Sequence, residues 1–466
     1  MYKKGTVYRL FSLFTCIGLI CGMLLCGCQK KAGLDPKNPV TITLWHNFGG
    51  QMLATMDELV DEFNSTLGKE TGIQLNVTSV SGSAILQEKL TMAANGDPGA
   101  PVLPDITTCY PNTALTLQQK GLLVNLDEAF TREELSAYLP RFVEEGRLAD
   151  GGLYVFPFAK STEVLFLNQT LFDRFAAETG ATLEQLSTFE GLAQAAVTYY
   201  DWADAQTPDI PGDGKAFYMP DSWFNIAQVG MAQLGASLIQ DASIDYDSPV
   251  FSRVFDPLFY AAAKGAIVIA DSYSSELSKT GEIICSTGST AGILFYGDSI
   301  TYADNTTEEV TYTILPYPVF EGGKKVAIQR GSGMCITRST PEKELAAATF
   351  LKWFTAPEQN MKFISSTGYL PVTIAAFGES MQQEIDAVEN QNIKKLLTAA
   401  TTMYADYDFY IPPTFDGFHD LDSAYQKQLQ ACILSAREAY QASGYQQAVL
   451  DTQLSLTKQA LRSAQS

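Results

Sequence analysis

The residues able to do covalent chemistry are few. There are two histidines, His46 and His419, and neither belongs to an HExxH pair. The chain carries no Walker loop, and Gly288-Ser289-Thr290-Ala291-Gly292 sets its serine one place too early for a nucleophile elbow. The 52 acidic residues offer so many carboxylate pairs that a glycosidase-type pair has no distinguishing signal. Asp201, Asp204, Asp209 and Asp213 gather near one loop but miss the EF-hand spacing, so a solvated loop is expected and no metal site. Cys109, Cys285 and Cys335 are widely spaced, form no CxxC pair and lie in apolar surroundings, which reads as buried free thiols. Binding chemistry fares better. Trp45, Trp223, Tyr110, Tyr296 and Tyr369 offer faces on which a sugar or polyol can stack, and the hydroxyls of Ser161 and Ser289 can bond its oxygens. Trp202 and Trp353 read as packing residues; with aromatics at 11% of the chain, several belong to the core.

These residues need elements to aim them. Val40-Thr41-Ile42-Thr43-Leu44-Trp45 is a β-branched strand, and Leu53, Met56, Leu59, Val60 and Phe63 follow at helical spacing. A strand at Ile73, Leu75 and Val77, a helix over residues 85–94 and a strand at Pro104 to Cys109 continue a β-α-β-α-β pattern, which predicts an α/β fold with a mostly parallel sheet. Leu153-Tyr154-Val155-Phe156 is read as a strand broken by Pro157 to Glu163, with a crossing between lobes near residues 158–162. Gly281 to Cys285 is read as a strand that stops at Ser286-Thr287-Gly288-Ser289. In an open parallel sheet, ligands sit beyond the carboxyl ends of the strands. Trp45-His46, Gly82-Ser83, Tyr110, Lys160-Ser161 and Ser286 to Ser289 all follow strands, so five loops are expected to share one cleft.

The N-terminus sets the compartment. Lys3, Lys4 and Arg9 precede an apolar run over residues 10–25, a secretory signal too short to remain as a membrane span. Leu25-Cys26-Gly27-Cys28 resembles a bacterial lipobox, which implies a diacylated Cys28 after removal of residues 1–27 and membrane attachment through lipid. Residues 28–39, with Pro36 and Pro39, read as a flexible tether. The remaining 439 residues exceed one ordinary core and predict two lobes. Three of the 31 basic residues leave with the leader, so 28 face 52 acids; that charge argues against nucleic acid or anionic lipid as a partner.

The order of motifs is informative as a set. Trp45-His46-Asn47, Pro157-Phe158 with Ser161-Thr162 and Asn168, Ser187 through Leu192, Gly331-Ser332-Gly333 and Thr367-Gly368-Tyr369-Leu370-Pro371-Val372-Thr373 resemble the extracellular solute-binding proteins of ABC importers. The resemblance covers about residues 40–460 and is to the large sugar-binding group, nearest to its glycerol-3-phosphate-binding members. It implies a monomer of two α/β lobes joined by three crossings, with no cofactor, that grips ligand at the hinge and presents it to permease subunits. One lobe is expected to hold residues 40–158 and about 300–335, the other 159–299 and about 336–466.

Carried over by position, Ser161, Trp223, Ser289, Gly331 and Tyr369 match ligand-lining residues, with Ser286 competing with Ser289. The expected tyrosine after the second strand is Ala84, the expected glutamate after the third falls at Tyr110 or Pro111, and residues 412–425 contain no arginine to hold a phosphate. Either Lys160 or Arg330, both in candidate hinge loops, replaces that arginine, or the ligand is a neutral sugar. The expected site is therefore Trp45, His46, Tyr110, Lys160, Ser161, Trp223, Ser289, Arg330, Gly331 and Tyr369. A secreted carbohydrate-active enzyme, a surface adhesin or the ligand sensor of a signalling system would be alternative uses of such a scaffold.

Overall fold

A computed structural model describes residues 33–464 apart from Asp271 and Gly378. The expected leader, Cys28 and the start of the tether lie outside the described residues. Two main sheets organise the rest, built from β1 (Val40–His46), β2 (Ile73–Ser79), β3 (Ile106–Cys109), β4 (Phe156–Ser161), β5 (Glu163–Asn168), β6 (Tyr218–Met219), β7 (Cys285–Ser289), β8 (Tyr312–Leu315) and β9 (Arg330–Ile336). The first sheet runs β2-β1-β3-β9-β4 and the second β8-β5-β7-β6. Each admits one antiparallel strand, β9 in the first and β5 in the second, and the others in each sheet share a direction.

Local sequence explains the elements. In β1 the β-branched run alternates, burying Ile42, Leu44 and His46 on one side. The following helix, Gly50–Ser65, buries Met52, Thr55, Met56, Leu59, Val60 and Phe63 at steps of three and four, one apolar stripe against the sheet. Each such large apolar side chain contributes about 1.5–3 kcal/mol on burial. Two cores result. One joins β1 with Phe350, Phe354, Phe363 and Val372; the other joins β5 with Phe189, Phe217 and Phe259 and extends to Leu429, Ile433, Leu450 and Leu461 of the two C-terminal helices.

The chain passes from the first sheet to the second with only Thr162 between β4 and β5. That residue is pinned: its Oγ1 donates to the Ile328 carbonyl at 2.8 Å, and its own carbonyl accepts from the Thr290 amide at 2.9 Å. The return falls between β8 and β9, and a third passage separates Val372 of the first core from Ile393 of the second.

Three expectations are corrected here. Residues 300–315 belong with the second sheet, since Ile300, Tyr312 and Ile314 pack in its core, whereas the helices Pro341–Phe354 and Pro357–Ser365 pack in the first. The strand at residue 156 is not broken at Pro157, because β4 is the edge of its sheet and a missing N–H is tolerated there. Ser286 to Ser289 are strand rather than turn, held by antiparallel pairing of β7 with Glu163 to Leu167; partners distant in sequence outweigh local turn preference.

Candidate ligand cleft

A cavity of about 640 Å³ opens between the two lobes. Asn47, Phe48 and Gly49 line it from the end of β1, and Gly82 and Ser83 from the start of the helix Ser83–Asn95. Facing them are Gly288 and Ser289 of β7, Phe295 and Tyr296 just beyond, and the segment Tyr273 to Glu276. Phe166, Asp221 and Tyr369 also line it. A second chamber of about 560 Å³ continues past Gly49, Gly50 and Phe295, which both chambers share, toward Ser365, Ser366, Glu389 and Asn390.

Aromatic faces are set deliberately by their neighbours. Phe48 stacks on His46 at 4.9 Å between ring centroids and meets Phe158 and Tyr369 edge-on. Tyr369 lies parallel to Phe363 at 6.1 Å. Its loop is fixed because Leu370 and Lys160 exchange backbone hydrogen bonds of 2.6 and 3.4 Å. Gly368, at φ +74°, passes so close to the Thr290 carbonyl that a Cβ would sit 2.8 Å from it, so the Thr-Gly-Tyr-Leu-Pro run needs glycine there. Tyr296 stacks on Phe166 at 4.4 Å, and its hydroxyl bonds Ser286 at 2.6 Å and Ser274 at 3.1 Å. Tyr273 and Phe295, in contrast, remain 80% and 54% exposed. Large apolar faces left wet beside a cavity are what a ligand would cover.

The charges at the cleft answer one another. Arg330 donates to Glu163 at 2.9 Å and also to Asp221. Glu163 is fully buried and receives a second bond, 2.7 Å, from Asn225. Burial pushes the Glu163 carboxyl up, against the pull of Arg330. Burial also opposes the charge on Arg330, yet Asp221 and Glu163 outweigh it and hold the guanidinium more firmly protonated than usual. Desolvation raises the Tyr110 phenol, with Arg330 opposing and Asp221 adding, although 42% of its surface meets open water. Nearby, Lys160 pairs with Glu145 at 2.8 Å, both nearly inaccessible, and bonds the Gly331 carbonyl at 3.3 Å.

Of the ten expected site residues, Ser289 and Tyr369 line the main cavity. Ser161 stands behind Ser289, whose hydroxyl donates to it at 3.2 Å. Arg330 reaches the lining through Asp221, and Tyr110 borders a small crevice that shares Asn47 and Ser83 with the cavity. The other five are displaced from it. Trp45 points to the opposite face of β1 from His46 and packs on Val80, Leu86 and Leu90. His46 is fully buried, accepting from the Phe48 amide through Nδ1 at 3.1 Å. Trp223 starts the helix Trp223–Gln233 and packs into the second core. Lys160 is consumed by Glu145. Gly331, at φ +95°, is a site of close strand approach, where a Cβ would meet the Ala159 carbonyl at 2.3 Å.

Phe48, Tyr273, Phe295, Asp221 and Glu163 were not legible as site residues. Phe48 carried a signal, an aromatic directly before Gly49-Gly50 at the end of a strand. Tyr273, flanked by Ser272 and Ser274, looks like any surface residue. The loop carboxylates near residue 210 serve the loop itself: Asp204 accepts from the Gly212 and Asp213 amides, and Asp213 from Thr207.

Comparison with known proteins agrees with this architecture. The profile of the family described as "Bacterial extracellular solute-binding protein" matches residues 58–387. The sn-glycerol-3-phosphate-binding periplasmic protein UgpB of Rhizobium meliloti is 23% identical over 358 residues, 72% of this chain and 76% of that protein. The cyclic alpha-maltosyl-1,6-maltose binding protein of Arthrobacter globiformis superposes with a TM-score of 0.67 at 19% identity, covering 92% of this chain and 99% of that one. UgpB of Mycobacterium tuberculosis, solved with glycerophosphocholine, gives 0.65 at 17% identity over 90% and 100% of the two chains.

Proposed function

Because the chain belongs to the bacterial extracellular solute-binding proteins, which bind solutes rather than transform them, we propose that it captures a neutral oligosaccharide between its lobes and delivers it to the permease of an ABC importer. The observation that carries this reading is the composition of the cleft: exposed aromatic faces at Tyr273 and Phe295 with the Ser289 hydroxyl nearby, and cationic groups already spent on protein carboxylates. Stacking and hydroxyl bonding suit a sugar; a phosphate would require a free cation or several converging amides. Two contiguous chambers favour a chain of sugars over a single ring. The sequence reading of a lipidated Cys28 supports tethering outside the cytoplasm.

One observation favours a second reading, a glycerophosphate-type ligand. The helices Gly50–Ser65 and Ser83–Asn95 begin at the cavity with Gly49 and Gly82 as N-caps that supply no side-chain bond, so first-turn amides are available to an acceptor. Calorimetry with linear and cyclic maltosaccharides, sn-glycerol 3-phosphate and glycerophosphocholine separates the two. A neutral saccharide is expected to bind, and Tyr273→Ala to weaken it by about 1–2 kcal/mol while leaving melting unchanged, since Tyr273 is 80% exposed. Binding of only the phosphorylated compounds would overturn the neutral-sugar reading.

A further inference from the structure

We infer that Asp221 is the charge-selecting residue of the cleft: by pairing with Arg330 it turns phosphate-bearing ligands away from a site otherwise able to take them. The inference rests on the neutral-sugar reading above and names the residue that enforces it. Arg330 meets two carboxylates of different standing. Glu163 is fully buried and also bound by Asn225, so it is a fixed part of the protein interior. Asp221 lines the cavity itself, with a side chain 33% exposed, and Arg330 beside it is 30% exposed. One cationic group therefore faces two carboxylates, and an incoming phosphate meets Asp221, the exposed one, as a like charge. Without the Asp221 charge, Arg330 would keep only Glu163 as a carboxylate partner, and guanidinium N–H groups would be left for a ligand. Lys160 does not offer the same service, because Glu145 and the Gly331 carbonyl hold it away from water.

The backbone at this point does not depend on the carboxylate. Ser222, the next residue, caps the helix Trp223–Gln233 by accepting from the Asn225 amide at 3.1 Å, so Asp221→Asn is expected to fold. The experiment compares wild type with Asp221→Asn, Asp221→Ser and Asp221→Asn/Arg330→Gln, using sn-glycerol 3-phosphate and a maltosaccharide as probes in calorimetry, each variant checked by melting. The ratio of affinities, phosphate over saccharide, is expected to rise about tenfold or more in either single variant, the consequence of removing a unit charge a few Å from a bound phosphate. The gain should shrink at high salt and disappear in the double variant. A ratio unchanged in both folded single variants, with the saccharide still bound by wild type, overturns the inference and leaves the neutral-sugar reading standing. A gain that persists without Arg330 also overturns it. Wild type that binds glycerol phosphate and no saccharide removes the neutral-sugar reading instead.

Discussion

His46 shows how a residue that looks chemical can be structural. Its ring is fully buried, stacked on Phe48, with Nδ1 accepting from the Phe48 amide and Nε2 without a partner among the described residues. Burial lowers its pKa from 6.5 to about 4. The unfolded chain takes up a proton near pH 6.5, which the folded chain refuses until about pH 4, so stability present above pH 6.5 drains as the pH falls through that window. The loss amounts to about 3 kcal/mol at the acid end. Glu163, raised from 4.5 to about 7, works in the opposite sense: its stability is present below pH 4.5 and lost as the pH rises toward 7. Chemical denaturation of wild type and His46→Asn between pH 4 and 7.5 isolates the histidine. The variant should lose the acid-side slope, and equal slopes would show that His46 does not titrate in this way. At this scale Tyr369 and Ser289 were legible because their motifs fix a loop and a strand end. Asp221 was not, since its role exists only once Arg330, more than a hundred residues later, folds against it.

Among the elements, β9 explains most of what the sequence concealed. It enters the first sheet between β3 and β4, antiparallel to both, although its residues follow β4 by some 170 positions. Periodicity reveals a strand but not its neighbours, so the expected lobe boundary fell near residue 335 while the structure keeps the helices up to Ser365 in the first core. The pairing is irregular between Ser332 and Gly333, and Gly331 accepts both a positive φ and a backbone passing at van der Waals limit. Gly331→Ala would place its Cβ 2.3 Å from the Ala159 carbonyl and 2.7 Å from the Lys160 Cα. Neither is a flexible side chain that can give way, so a cost of about 3 kcal/mol or more is expected from strain and overpacking together. A melting temperature within two degrees of wild type would show that β4 and β9 separate without cost. The same shift would also disturb Lys160 and its hold on Leu370, so ligand affinity should fall with stability in this variant.

In the whole molecule, two lobes meet along three crossings, and Thr162 is the whole of the first. Such a body can close on a ligand by small rotations at those points. Closure is favoured to the extent that the ligand covers surfaces left wet in the free protein, and Phe295 is the most informative of these. It belongs to both chambers and is 54% exposed. A sugar chain that fills the main cavity alone would meet Phe295 from one chamber; a longer chain running on toward Ser365 and Asn390 would meet it from both. Phe295→Ala should therefore weaken a long saccharide by about 1–2 kcal/mol, close to tenfold in affinity, and a short one much less. The contrast between ligands removes general effects on folding, because any loss of native population lowers both affinities equally. Small-angle scattering on the same samples should show the radius of gyration falling with the long ligand in wild type. If the two ligands lose affinity in equal proportion, the second chamber takes no part in binding and the cleft ends at Phe295.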